Sequence, residues 1–261
     1  LPNAELSQPE YIKKHGIEVI KVAFNHIHSA PKKDEEVKEY SYLVRSTSTL
    51  SREDWVYANL FSVCVQCFHS LAVLRFLAIY LHEAKKVSYF DFYTRLLDYI
   101  LNGDGKLSSL WEGFREKYEN SLSGDWNYFN ESFGDVTWFF EEGAFLEIIG
   151  NYDETMKELD GFIRSWVLDE ALTDELLSYQ SFILRKPFEK EKEMSFSHDF
   201  HSFFEKVLKG NENITLEKKP TLLTVTPKSF YSDFSAYAKE TVWFGRRRGA
   251  TVYSSQEISR S

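Results

Sequence analysis

The sequence predicts an α+β fold, predominantly helical, with a long central helix and a helical block packed on a small sheet built from both chain termini. Two observations carry this expectation. Stretches with period-two alternation and β-branched residues lie near the two ends of the 261 residues. Between them runs a succession of apolar-periodic segments punctuated by Gly, Asn and Pro, the pattern of consecutive helices. The economical packing sets the helices against one sheet. The length suits one large domain, and an aromatic fraction of 16%, with 22 Phe and 15 Tyr, makes the expected core ring-rich.

Residues 5–15 read as a short helix ended by Gly16. Ile17–Phe24 alternates and reads as a strand; Pro31 to Glu35 is a polar turn, and a second strand over Val37–Ser48 closes a hairpin. Ser51 is the expected N-cap of the next helix, with Asp54 at the third helical position and Leu50 and Trp55 placed for a hydrophobic staple. No Gly or Pro interrupts the chain from there until well past Lys86. About 34 residues at 1.5 Å each predict a continuous rod on the order of 50 Å.

Further helices are expected over Tyr89–Leu101, Leu107–Leu122, Gly134–Ile149, Asp153–Leu168 and Thr173–Leu184, with Pro187 after the last. Asn102-Gly103-Asp104-Gly105 lacks the spaced acidic ligands of a calcium loop and reads as a turn. The tail changes character. Met194–Phe200 is an expected strand, Phe203–Leu208 a helix stopped at Gly210, and Ile214–Thr226 a strand that Pro220 demotes to an edge or splits. Phe230–Phe244 reads as a helix and Ala250–Ser254 as a last strand. The organisation is one domain over 1–261: hairpin and lead-in over 1–50, helical block over 51–186, and an α/β tail over 187–261 returning to the sheet.

A formal charge of −9 argues against general nucleic-acid affinity. Two cysteines make no disulfide framework, and no secretory leader is recognisable, so a cytoplasmic location is expected. No apolar run reaches the ~18–20 residues of a membrane span. The chain begins at Leu1 without Met and runs directly into structured sequence, which reads as the interior of a longer polypeptide.

Cys64 and Cys67 have redox-like spacing, yet they fall several turns into a helix among Val63, Val65, Phe68 and Leu71, where buried small hydrophobes are expected. Two thiols are too few for a zinc or iron–sulfur site of their own. On the same helix Asn59, Ser62, Gln66 and His69 step by three, four and three along one stripe, with Arg52 on that side earlier. Such groups need partners. The stripe is either a satisfied polar seam against a neighbouring element or the wall of a ligand cavity. His26 and His28 could share a metal, but no third ligand is evident, and a solvated hairpin end is favoured. Glu141 and Glu142 point about 100° apart on a helix and read as surface charge. Arg246-Arg247-Arg248 suits a helix end paired with local acids better than a bound anion. No phosphate loop, nucleophile elbow or His–carboxylate constellation marks a self-contained active site.

Several stretches together resemble a known family. Leu1-Pro2-Asn3-Ala4 with Pro9-Glu10-Tyr11 and Lys14-His15-Gly16-Ile17 resembles the segment after the last barrel strand of cobalamin-binding-domain radical SAM proteins. Ser46 to Trp55, Val65 to Ser70, Ala78 to His82, and Val242 to Arg247 with Val252-Tyr253 resemble parts of their C-terminal region; residues 105–190 align with nothing recognised. In that family an N-terminal domain binds cobalamin, and a partial barrel carries Cys-x-x-x-Cys-x-x-Cys, which holds a 4Fe–4S cluster and S-adenosylmethionine for methyl transfer or related radical chemistry. The three-cysteine motif is absent here.

The resemblance therefore implies a C-terminal substrate-capping, accessory domain, catalytically inactive alone, with no cofactor, metal or catalytic residue of its own. Its expected partners are the N-terminal radical SAM and cobalamin-binding domains of the same polypeptide and a small-molecule substrate, with no nucleic acid and no membrane. Arg52, Gln66 and His69 are the expected substrate contacts, with Trp55 as a packing wall. The alternative is a free-standing helical protein- or ligand-interaction module. The first reading requires an apolar patch near the N-terminal hairpin, the second a polar surface there.

Overall fold

The computed structural model describes residues 5, 8–23, 27–31, 39–120, 126–166, 169–227, 231, 233–244 and 251–258. A short helix, α1 (Pro9–Lys14), stops where Gly16 adopts φ +57°, a left-handed position that a residue without Cβ fills at little cost. β1 (Glu18–Ala23) and β2 (Tyr40–Ser46) then pair antiparallel, Ile20 opposite Leu43 and Val22 opposite Ser41. Ile20 and Val22 are buried, so alternation turns Val19 and Lys21 to the other face. The expected polar turn falls largely outside the described residues.

α2 (Arg52–Val65) starts with the expected reciprocal cap. Ser51 Oγ accepts from the Asp54 N–H at 3.0 Å, and Asp54 Oδ2 accepts from the Ser51 N–H at 3.4 Å. The continuous rod does not form. A π turn (Gln66–Ser70) follows α2, Ala72 takes φ +70°, and α3 (Arg75–Lys85) departs with a bend of 89°. The corner is held from elsewhere. Arg75 donates to the carbonyl oxygens of His69, at 2.6 Å, and of Ser70. The Gln180 side-chain amide accepts from the Phe76 N–H at 2.8 Å and donates to the Ala72 carbonyl. Tertiary hydrogen bonds thus do what Gly or Pro does in a locally encoded break. Among the described residues no single helix is long and apolar enough to cross a membrane.

α4 (Tyr89–Leu101) has its expected bounds and is capped by Ser88; α5 (Lys106–Glu119) follows the Asn102–Gly105 turn. The segment expected to begin a helix at Gly134 is extended instead: Tyr128 and Trp138 form a β-bridge around a short 3-10 turn (Glu131–Phe133). α6 (Phe140–Gly150) begins only afterwards. Gly143 is required there, because a Cβ would come within 2.4 Å of the Tyr128 ring. α7 (Tyr152–Arg164) and α8 (Glu170–Ile183) complete the block.

The tail forms β3 (Lys192–Phe196), α9 (Phe200–Leu208), β4 (Thr221–Pro227), α10 (Phe234–Tyr237) continuing into a π turn (Ala238–Trp243), and β5 (Thr251–Glu257). β4 is the central strand of an antiparallel β3-β4-β5 sheet. Pro220 therefore precedes the strand rather than demoting it to an edge, and leaves the ladder its donors.

The architecture is α+β and predominantly helical, as expected, but the single sheet shared by the termini is replaced by two separate sheets. Each end finds a partner nearby in sequence, which costs less loop entropy than pairing across some 200 residues. The core is ring-rich, as the composition leads one to expect. Trp111 packs on Phe68 and Phe114, and Phe114 stacks on Phe140 at 4.6 Å; Phe76, Tyr179, Phe200 and Phe204 form a second cluster towards the tail.

Candidate functional site

The four residues singled out as substrate-side contacts do not meet at one point. Arg52, in the first turn of α2, donates twice to the Glu18 carboxylate of β1, each bond 2.6 Å long. Arg52 and Ser46 together hold the Glu18 carboxyl below the usual carboxylate range. Trp55, one turn on, packs edge-on against Tyr118 at 5.9 Å and beside Trp126 at 5.6 Å. This end of α2 is fastened to the hairpin, as Arg45 of β2 is fastened to the Glu119 carbonyl at 3.0 Å.

Gln66 and His69 sit in the π turn, at least 14 residues beyond Arg52, which at 1.5 Å per residue is roughly 20 Å away. Gln66 donates to Ser62 Oγ at 3.2 Å, and Asn59 donates to the Trp55 carbonyl at 2.7 Å, so much of the stripe is satisfied within its own helix. His69 Nδ1 lies 2.8 Å from the Tyr93 hydroxyl and edge-on to Tyr89. Burial, and to a lesser degree Arg75, lowers the His69 pKa below the usual imidazole value, while burial raises that of the Tyr93 phenol. A neutral imidazole accepting from a phenol satisfies both.

Two sequence expectations are corrected. Glu141 and Glu142 are not surface charge: they are only 8% and 3% exposed. Glu142 Oε2 lies 2.7 Å from His28 Nε2 and also accepts from the Phe139 N–H at 3.3 Å. Nor is His28 a solvated hairpin end, because it stacks on Trp243 at 4.8 Å and meets Trp138 edge-on at 5.3 Å. The pairing spans 114 positions, and no local pattern signals it. A second pair was also invisible in the sequence: Glu175 Oε2 lies 2.6 Å from His198 Nδ1, and the same carboxylate accepts from the Ser197 and His198 backbone N–H groups. His26 and Arg246-Arg247-Arg248 lie outside the described residues.

The outer face of the β1–β2 hairpin is apolar. Tyr42 is 69% exposed, Tyr40 47% and Val19 41%, with Lys21 Nζ 3.9 Å above the Tyr40 ring. The register puts Tyr42 opposite Lys21, Tyr40 opposite Ala23 and Val44 opposite Val19, so these residues share the side away from buried Ile20 and Val22.

No family model matches the chain. Over 228 residues it is 25% identical to the cobalamin-dependent radical SAM methyltransferase TokK of Streptomyces tokunonensis, covering 78% of this chain and 33% of that protein. Over 208 residues it is 23% identical to the 2-(S-pantetheinyl)-carbapenam-3-carboxylate methyltransferase of Streptantibioticus cattleyicolor, covering 72% and 30% respectively. The chain is thus distantly similar, at 23–25% identity, to cobalamin-dependent radical SAM methyltransferases. It spans about a third of the length of these curated relatives.

The cysteines of this chain do not fit a cluster. Cys64 and Cys67 are fully buried among the core side chains of α2 and the π turn, and burial lifts both thiols well above the usual cysteine range, so thiolate ligands are disfavoured. They are core residues, as their apolar neighbours predict. Among the described residues no group of three or more His, Cys, Asp and Glu is arranged to hold a metal ion.

Proposed function

We propose that this chain is the C-terminal substrate-capping domain of a cobalamin-dependent radical SAM enzyme, seated on the remainder of a longer protein through the outer face of the β1–β2 hairpin. The observation that carries the reading is that exposed face of Tyr40, Tyr42 and Val19. Two-stranded sheets are marginal alone, and one with apolar residues on both sides calls for cover on both. The occupant is the catalytic part of the same protein, since the chain matches only about a third of each relative.

The chain's own contribution is positional. A cap over a radical site keeps out water and holds the substrate in one pose. Arg52 and Trp55 lie beside the docking face, and Gln66 and His69 at the far end of α2. One substrate touches both pairs only if it is elongated, as a pantetheinyl-bearing carboxylate is.

The test uses the longer protein. Tyr40→Glu combined with Tyr42→Glu should lower kcat/KM at least about tenfold, the effect of losing one or two interface anchors, and raise the S-adenosylmethionine cleaved per product formed. The melting temperature of the isolated chain should hardly change. Unaltered coupling and kcat/KM would sink the docking assignment. The reading of the class fails if the coding sequence ahead of Leu1 holds no Cys-x-x-x-Cys-x-x-Cys within ~200 residues, about one domain.

A further inference from the structure

Between α7, α8 and β3 lies an open cavity of about 840 Å³, lined by no residue of the hairpin and by none of the residues assigned to substrate. Five of its lining side chains supply an apolar surface amid polar and charged neighbours: Tyr152 and Met156 from α7, Leu177 and Phe182 from α8, and Met194 from β3. The chain has two methionines, and both are here. Methionine is the residue that adapts its shape to an apolar guest. Met194 is an exposed apolar side chain in this wall, so the pocket presents unfilled hydrophobic surface.

One end of the cavity carries a cation that no carboxylate touches directly. Lys186 Nζ sits 3.8 Å from the centroid of the Tyr152 ring and donates to Ser181 Oγ at 2.7 Å; it makes no ion pair among the described residues. Burial lowers its pKa although the carboxylates of Glu189 and Asp153 act from a distance to raise it, so the lost hydration outweighs the nearby charge. The Tyr152 hydroxyl beside it is buried and makes no well-formed hydrogen bond, with Ser181 as its polar neighbour. The other charges of the site are accounted for differently. Lys192 is paired with Glu189, while Lys157, Asp153 and Asp160 line the same opening and balance to one negative charge. An anionic head group in direct contact would supply the charge-assisted hydrogen bond that Lys186 lacks.

We propose that this cavity binds an amphipathic organic anion, an apolar chain ending in one carboxylate or phosphate, with the head group on Lys186 and Ser181 and the tail against Met156, Leu177 and Met194. In a chain of net charge −9 such selectivity has to come from local groups rather than from the overall field.

The two methionines give a direct readout. In the chain labelled with methyl-13C methionine, octanoate or octyl phosphate should shift both methyl resonances together and saturably; octanol and octylammonium should bind at least about tenfold more weakly, the value of one charge-assisted contact. Lys186→Gln should weaken octanoate by a similar factor, Lys186→Arg should restore it, and Lys157→Gln should leave it within about twofold. A dispersed methyl spectrum reports that each variant is folded. Response to octanoate alone identifies a carboxylate ligand, and response to octyl phosphate alone a phosphate ester. The proposal is overturned if octanol matches octanoate, if only one methyl responds, or if Lys186→Gln binds like the parent.

Discussion

The two sheets of this molecule treat their outward faces in opposite ways. On β4, Thr221, Leu223 and Val225 point into the core, and of the alternate positions Leu222, Thr224 and Thr226 the last two are finished with polar contacts: Thr224 Oγ1 donates to Glu193 at 3.0 Å and Thr226 Oγ1 to Glu191 at 2.9 Å. On the β1–β2 hairpin the alternate positions carry Tyr40, Tyr42 and Val19. Apolar-in, polar-out alternation is the signature of a sheet that ends at water. A sheet apolar on both sides is half of something larger. The contrast within one chain matters because both sheets are small and antiparallel, so neither size nor topology explains it.

The largest test of the contrast is mutational. Leu223→Ala, which removes a fully buried side chain from β4, should cost about 2–4 kcal/mol in urea unfolding, whereas Tyr42→Ala in the isolated chain should stay within about 0.5 kcal/mol. Comparable losses would show that the hairpin face is already covered.

A smaller effect comes from acid. Burial opposes ionisation of Glu175, but its bonds from His198 and Ser197 win and hold its carboxyl below the ordinary carboxylate value of 4.5. The folded state then binds fewer protons than the unfolded one, so the stability this junction contributes is present above pH 4.5 and is lost as pH falls through the depressed folded pKa. His69, held below the ordinary imidazole value of 6.5, loses its contribution in the same direction as pH falls below 6.5. Glu175→Gln should therefore flatten the acid limb of a stability–pH curve, and an unchanged limb would refute the assignment. The smallest effect is expected for Glu18→Gln. Its bond to Arg52 is exposed, so the loss should be slight and should vanish in high salt, in contrast to Glu175.

What could be read in advance follows the range of each interaction. The Ser51 cap, the bounds of α4, the burial of Cys64 and Cys67 and the stop at Gly16 are encoded within a few residues, and all appear. The corner after Val65 does not announce itself, because its agents are Arg75 and, 104 to 108 positions on, Gln180. The same applies to the candidate site. Polar residues on α2 are visible as a stripe, and Asn59 and Gln66 find partners four residues away in the same helix, but the His69–Tyr93 contact, the Arg52–Glu18 clasp and the burial of Glu142 by His28 depend on partners only the folded chain supplies. The cavity around Lys186 draws on α7, α8 and β3, in a stretch that is mostly outside any recognised resemblance.

The 89° corner sets an order of events during synthesis. Phe76 N–H and the Ala72 carbonyl meet their native partner only when Gln180 has been made. At translation speeds of 5–20 residues per second that is a delay on the order of 5–20 s. Through that interval the nascent helices on either side of Ala72 lack the clamp that fixes their angle, and a product truncated ahead of α8 never acquires it.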